Sequence, residues 1–130
     1  MVTTSPPSHP PGYNPTKIEK IWGTTQPLIM TPMFEMHRLE IKPYHRCSLH
    51  VHRWKHNAFY VIIGDLFVDT VENDLTPLVI ERIRAGETLT IRPGVHHQFR
   101  TDSEWTHALE MYYTEPLSED IIRRNVGGHV

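Results

Sequence analysis

From Phe34 to Tyr113 the chain is a series of short β-branched and aromatic runs, broken about every eight to twelve residues by turn formers. That punctuation leaves too little uninterrupted length for packed helices and predicts an all-β sandwich or barrel. The expected strands are Phe34–Ile41, Arg46–His52, Ala58–Ile63, Leu66–Val71, Leu78–Ile83, Thr88–Arg92, His97–Thr101 and His107–Tyr113. Between them stand KPYH, GD, END, AGE, RPG and TDSEW. Glycine tolerates positive φ, proline presets φ, and Asn or Asp hydrogen-bond their own backbone, so each of these segments can reverse the chain. In IGDL the Gly-Asp pair between two apolar runs predicts a two-residue hairpin.

The ends differ from this middle. Residues 1–15 hold five prolines and read as an extended, flexible arm ahead of a single domain over 16–130. They have neither the basic start nor the apolar stretch of a secretory signal. Thr16–Gly23 fits either a strand or a helical turn. A short C-terminal helix is expected, with Ser118 as N-cap, Glu119 and Asp120 in its first turn, Arg123 and Arg124 in its last, and Gly127-Gly128 as the stop.

A chain of 130 residues can close one core, so one principal site is expected. Thirteen basic against fifteen acidic residues give a formal charge of −2, which provides no field to attract nucleic acid. No apolar run approaches the roughly 20 residues of a membrane-spanning helix. The single cysteine, Cys47, cannot form an internal disulfide and suits a cytoplasmic setting, where it would be a small buried apolar group.

Histidine is the compositional outlier, with ten in the chain. In a strand, residues i and i+2 share a face about 6.6 Å apart. His50 and His52 can therefore aim at one point, where neutral imidazoles would coordinate a metal; the same spacing also occurs on ordinary surfaces. In AGETLTIRPGVHHQF (Ala85 to Phe99) a Pro93-Gly94 turn brings the chain back into a strand at His97, which delivers a third imidazole.

These two stretches resemble the cupins, small antiparallel jelly-roll barrels whose first motif reads G-x5-H-x-H-x(3,4)-E-x6-G and whose second reads G-x5-P-x-G-x2-H-x3-N. In the first motif His50, His52 and Gly64 match, while Tyr44 stands at the opening glycine and Asn57 at the acidic position. In the second, Gly86, Gly94 and His97 match, while Arg92 precedes the proline and Thr101 stands at the final Asn. The resemblance covers roughly residues 34 to 114. It implies an antiparallel double-stranded β-helix with His50, His52, His97 and Asn57 around a divalent transition metal (Zn, Mn, Fe, Ni or Co). It also implies a homodimer. A slip of one residue would put His56 at the fourth position instead, and strand alternation points His96 away. An amide oxygen is neutral, so Asn57 leaves the cation its full charge.

The local strings are similar to the sugar- and sugar-phosphate-isomerase-like cupins, including the lyxose isomerase and type II mannose-6-phosphate isomerase groups. That resemblance implies proton transfer between adjacent carbons of a small sugar. Glu110, mid-strand in HALEMYY, is the candidate general base if it points inward; outward, it would pair with a neighbouring Arg or Lys. Lys55 and Arg92 are candidates to hold a phosphate or carboxylate, or are solvated loop charges. Tyr44, Tyr60, Phe59 and Tyr112 are candidates for a sugar-stacking wall or for core packing. An exposed Trp54 would suggest ligand or partner contact. A three-histidine iron dioxygenase and a non-catalytic sensor cupin are the other readings.

Overall fold

The structure, a computed structural model, describes residues 16–72, 77–115 and 120–130. Its strands are β1 (Ile18–Lys20), β2 (Gly23–Met30), β3 (Phe34–Ile41), β4 (His56–Ile63), β5 (Asp65–Val71), β6 (Val79–Arg84), β7 (Thr88–Ile91), β8 (His96–Arg100) and β9 (Thr106–Tyr113). One sheet has the order β1-β2-β3-β9-β4-β7 and the other β6-β5-β8. Every pairing is antiparallel. Residues 46 to 50 run along the free edge of β8, where Arg46 bridges Arg100 and His50 bridges His97. From β3 onward the chain changes sheet at nearly every connection, which makes the fold an all-β antiparallel jelly roll.

Burial with period two explains the layering. On β9, Thr106, Ala108 and Glu110 are buried, while the residues between them are only partly covered. Leu39, Ile41, Phe59, Val61, Leu66, Val68, Ile83, Ile91 and Phe99 form the core between the sheets. Each large apolar side chain buried this way stabilises the fold by about 1.5–3 kcal/mol. Trp22, in the turn between β1 and β2, packs edge-on against Phe99 at 5.0 Å and closes the core on that side.

Several sequence expectations need correction. IGDL is not a hairpin: β4 and β5 lie in different sheets, and Gly64 is the corner between them. Two runs that each bury a face in the same core are better satisfied facing one another than side by side. Arg46–His52 is not a regular strand. Cys47 N–H donates to Phe99 O and His50 N–H to His97 O, so three steps of one strand oppose two of the other, and the extra residue interrupts the ladder. β2 was not expected, because Pro27 and weak alternation disguise it. Pro27 is accommodated beyond Thr25, where β1 no longer pairs with β2 and no donor is needed.

The C-terminal helix is absent from the residues that can be described. Ser118 and Glu119 lie outside them, and Asp120 to Val130 are non-helical and exposed throughout. With Ile122 95% exposed, the segment buries no apolar face, and so short a helix is marginal in water without one. The Pro-rich arm, residues 1–15, also lies outside the described residues.

Gly64 and Gly86 have nearly the same φ, +86° and +85°. A Cβ on Gly64 would collide with the Trp105 carbonyl oxygen and come within 2.8 Å of Thr106 Oγ1, whereas a Cβ on Gly86 meets nothing within 4 Å. Gly64→Ala should therefore destabilise by roughly 3 kcal/mol and Gly86→Ala by about 1 kcal/mol in urea unfolding. Equal losses would mean that the β4–β5 corner is not the tight approach described.

Candidate metal centre

Two reciprocal backbone bonds set the centre. His50 N–H donates to His97 O at 3.0 Å, and His97 N–H donates to His50 O at 2.8 Å. Directly paired residues in an antiparallel ladder project to the same face, so the two imidazoles meet with ring centroids 4.5 Å apart. His52 joins them at 5.0 Å from His50 and 5.3 Å from His97. Gly94 N–H donates to His52 O at 2.8 Å, which ties the Pro93-Gly94 turn to the HVH segment. One ring nitrogen from each of the three histidines lies within 4.8 Å of the others.

The hydrogen bonds fix which nitrogens remain available. His50 Nδ1 donates to Ser48 O at 2.7 Å, and His97 Nδ1 donates to Val95 O at 2.9 Å. Each neutral ring thus presents a bare Nε2. His52 Nε2 is buried with no hydrogen-bond partner. Asn57 is 1% exposed; its Nδ2 donates to Met111 O at 3.2 Å and Glu110 Oε2 at 3.4 Å. Its Oδ1 consequently faces His97 Nε2 at 2.8 Å.

An amide oxygen only accepts, so a neutral His97 satisfies either this contact, with its proton on Nε2, or the one to Val95 O, with its proton on Nδ1; in the second case two acceptors face each other. Burial disfavours the doubly protonated ring. Burial, reinforced by His50, His52 and His96, pushes the imidazole down to about 4, against the opposing bond to Val95 O. Burial and the nearby His50 and Lys55 charges also lower His52. A buried nitrogen without a partner and a pair of facing acceptors fit a bound cation. Three imidazoles and an amide oxygen can hold a first-row transition metal better than Ca, which favours a full oxygen shell.

Glu110 lies behind Asn57 on β9 and is 6% exposed. Burial raises its carboxyl to about 7 and the Glu35 charge adds to this, while hydrogen bonds from Tyr112 and Asn57 act in the opposite direction. Burial, followed by the Glu110 charge, also raises the Tyr112 hydroxyl. A cavity of about 360 Å³ is lined by His50, Glu110, Tyr112, His37, Trp22 and Lys20, among others. Cys47 is on its wall, its thiol pushed up to about 12, mainly by burial. A larger cavity of about 470 Å³, bordered by Glu72, Leu89 and Arg92, contains none of the cluster's histidines.

The remaining sequence candidates are dispersed. Phe59 is fully buried in the core against Phe99, and so cannot form a sugar-stacking wall. Tyr44 occupies a turn at φ +58°, 73% exposed, where it borders Arg46 and Arg100 and not the histidine cavity. Arg92 pairs with Glu72 at 2.6 Å beside the larger cavity. Lys55 lies 3.6 Å from Glu35 Oε1 and 5.9 Å from the Tyr112 ring centroid, and is not on the histidine cavity. His56 stacks on Tyr113 and is outside the three-histidine group. His96 is exposed. Sequence reasoning missed Lys20, Trp22 and His37 as cavity walls. The signal for Lys20 and Trp22 was the IEKIWG stretch, whose residues reach the cavity only once β1 pairs with β2 and β2 with β3, while His37 lies on β3 itself.

Neither a protein-family model nor a curated relative matches the sequence. Solved structures do match the fold. Oxalate decarboxylase OxdC of Bacillus subtilis superposes with a TM-score of 0.68 at 16% identity over 80% of this chain and 28% of that one. The oxalate decarboxylase of Lactobacillus farciminis in its formate complex gives 0.67 at 16% identity, over 80% and 32%. BH2720 of Bacillus halodurans gives 0.65 at 13% identity, over 75% and 74%. The chain thus spans less than a third of the decarboxylases and most of BH2720. At these identities the likeness is one of fold, and the fold is the cupin jelly roll.

Two measurements probe the centre. The His97 imidazole should stay neutral down to about pH 4 in NMR titration of the metal-free protein; a midpoint at 6 or above would contradict its buried placement. Asn57→Asp removes the donor to Met111 O and sets a second carboxylate against Glu110. It should destabilise the metal-free protein by about 2–3 kcal/mol while tightening divalent-metal binding. Urea unfolding with and without metal reads both effects, and the second fails if position 57 lies away from the cation.

Proposed function

We propose that the protein is a metal-dependent enzyme acting on a small open-chain sugar or sugar phosphate, moving a proton between adjacent carbons in an aldose–ketose isomerisation. The observation that carries this reading is the cavity onto which His50, Glu110 and Tyr112 all open. His50, His52, His97 and Asn57 would hold the cation. The Mn(II) centres named for Bacillus subtilis oxalate decarboxylase make Mn the first metal to test, alongside Zn, Fe, Ni and Co. When bound, such a cation supplies electrophilic stabilisation to the substrate's carbonyl and hydroxyl oxygens.

The chain's own groups do the rest. Glu110 takes the proton from C2 and returns it to C1 as the C2 hydroxyl proton passes to the C1 oxygen, and a carboxyl raised by burial toward neutrality suits both carbon steps. Tyr112 and Asn57 hold that carboxylate through hydrogen bonds and keep it beside the cavity. Trp22 and Phe99 wall the cavity with apolar surface and limit the water that reaches the reacting carbons.

One observation supports a second reading, a three-histidine iron dioxygenase: the fourth donor is an amide and not a carboxylate. Metal-dependent oxygen consumption without isomerisation would replace the first reading with this one.

Glu110→Gln should keep the metal content and lose about 10²–10⁴-fold in kcat. As the base must be ionised, kcat/KM should fall as pH drops through the titration of Glu110, which burial raises to about 7 before metal binds and a neighbouring cation lowers, and the variant should lose that limb. Chelation should abolish turnover, and added Mn should restore it. Deuterium from solvent should enter the product carbon; its absence during turnover would argue against proton abstraction by an exchangeable acid.

A further inference from the structure

The charge around the centre is unbalanced. The donor set is three imidazoles and an amide, so no ligand from the protein offsets a divalent cation. Among the described residues, the one acidic side chain on the cavity wall is the buried Glu110. A second positive charge enters from β1. Ile18 pairs with Thr25 and Lys20 with Gly23, which turns Ile18 and Lys20 toward the cavity and Glu19 away from it.

Lys20 also differs from the other cations nearby. Lys17 is bonded to Glu40 at 2.7 Å, Lys55 lies by Glu35, Arg92 is held by Glu72, and Arg38 approaches His107. Among the described residues the Lys20 side chain has no ion pair or hydrogen-bond partner. Trp22 and Pro27 provide apolar surface on the same wall. The volume, about 360 Å³, is near the lower end of small-molecule pockets and fits one small ligand better than an oligomer.

We infer that the ligand is a small polyhydroxylated anion whose carboxylate or phosphate is received by Lys20 while its hydroxyl or carbonyl oxygens face the three-histidine centre. This rests on the proposed metal centre and narrows the substrate from neutral or phosphorylated sugars to anionic ones, the uronic acids or the sugar phosphates. The ligand supplies the negative charge that Asn57 does not. Lys20 is a specificity residue here; it stands apart from the groups assigned to proton transfer.

The test uses the full chain, metal-free and loaded with Mn, in calorimetric titrations with glucuronate, glucose 6-phosphate and glucose. The wild type should bind at least one of the two anions about tenfold or more tightly than glucose. Whether glucuronate or glucose 6-phosphate is preferred distinguishes carboxylate from phosphate. Lys20→Met should erase the preference and Lys20→Arg should keep it, while Mn affinity stays unchanged in both. A preference that survives in Lys20→Met, or a wild type that favours neither anion over glucose, overturns the inference. Failure of the wild type to take up any of Mn, Zn, Fe, Ni and Co overturns the metal centre alone, because the Lys20 comparison still reads out on the metal-free protein.

Discussion

The reciprocal backbone bonds between His50 and His97 are the constraint on which the site depends. They fasten an irregular segment to the edge of β8 and so extend the smaller sheet. They also bring together two imidazoles from residues far apart in sequence. The extra residue between Cys47 and His50 interrupts the ladder, but the segment is held on both sides of it: Cys47 N–H donates to Phe99 O before it, and the His50–His97 pair and the Gly94–His52 bond follow it.

The second governing feature is where the acid sits. Position 57, where the resembled motif has a carboxylate, carries an amide. The buried carboxylate nearby is Glu110, on the adjacent strand β9, within 3.4 Å of the amide nitrogen. Two carboxylates at that separation in a dry interior would repel, and one would be forced to hold a proton. Asn57 avoids this by presenting opposite polarity on its two ends. Its nitrogen supports Glu110 and Met111 O, and its oxygen turns to the histidines. The amide thus stands between the buried acid and the imidazole cluster and touches both.

Much of this was legible in the chain. The turn spacing indicated an all-β fold, and the HVH and RPGVHH stretches marked the three clustered histidines. Glu110 stood out because a carboxylate in HALEMYY lies within an apolar strand. Other features depended on pairing that the local sequence does not encode. The stacking residues expected from composition were misplaced because an aromatic's role depends on which face it occupies. Phe59 went into the core and Tyr44 into a remote turn. Lys55 and Arg92 found carboxylates outside the cavity.

Local sequence by itself determined most of the strands from β3 onward, the glycines at which the chain turns and the imidazoles available to the barrel, because turn chemistry and period-two patterning act over a few residues. Only the tertiary structure decided that IGDL is a corner, that β1 and β2 wall a cavity with Lys20 and Trp22, and that Asn57 faces His97. Those outcomes follow from which strands become neighbours. Neighbours are chosen by the burial of two whole sheets against each other, a quantity no short stretch of sequence contains.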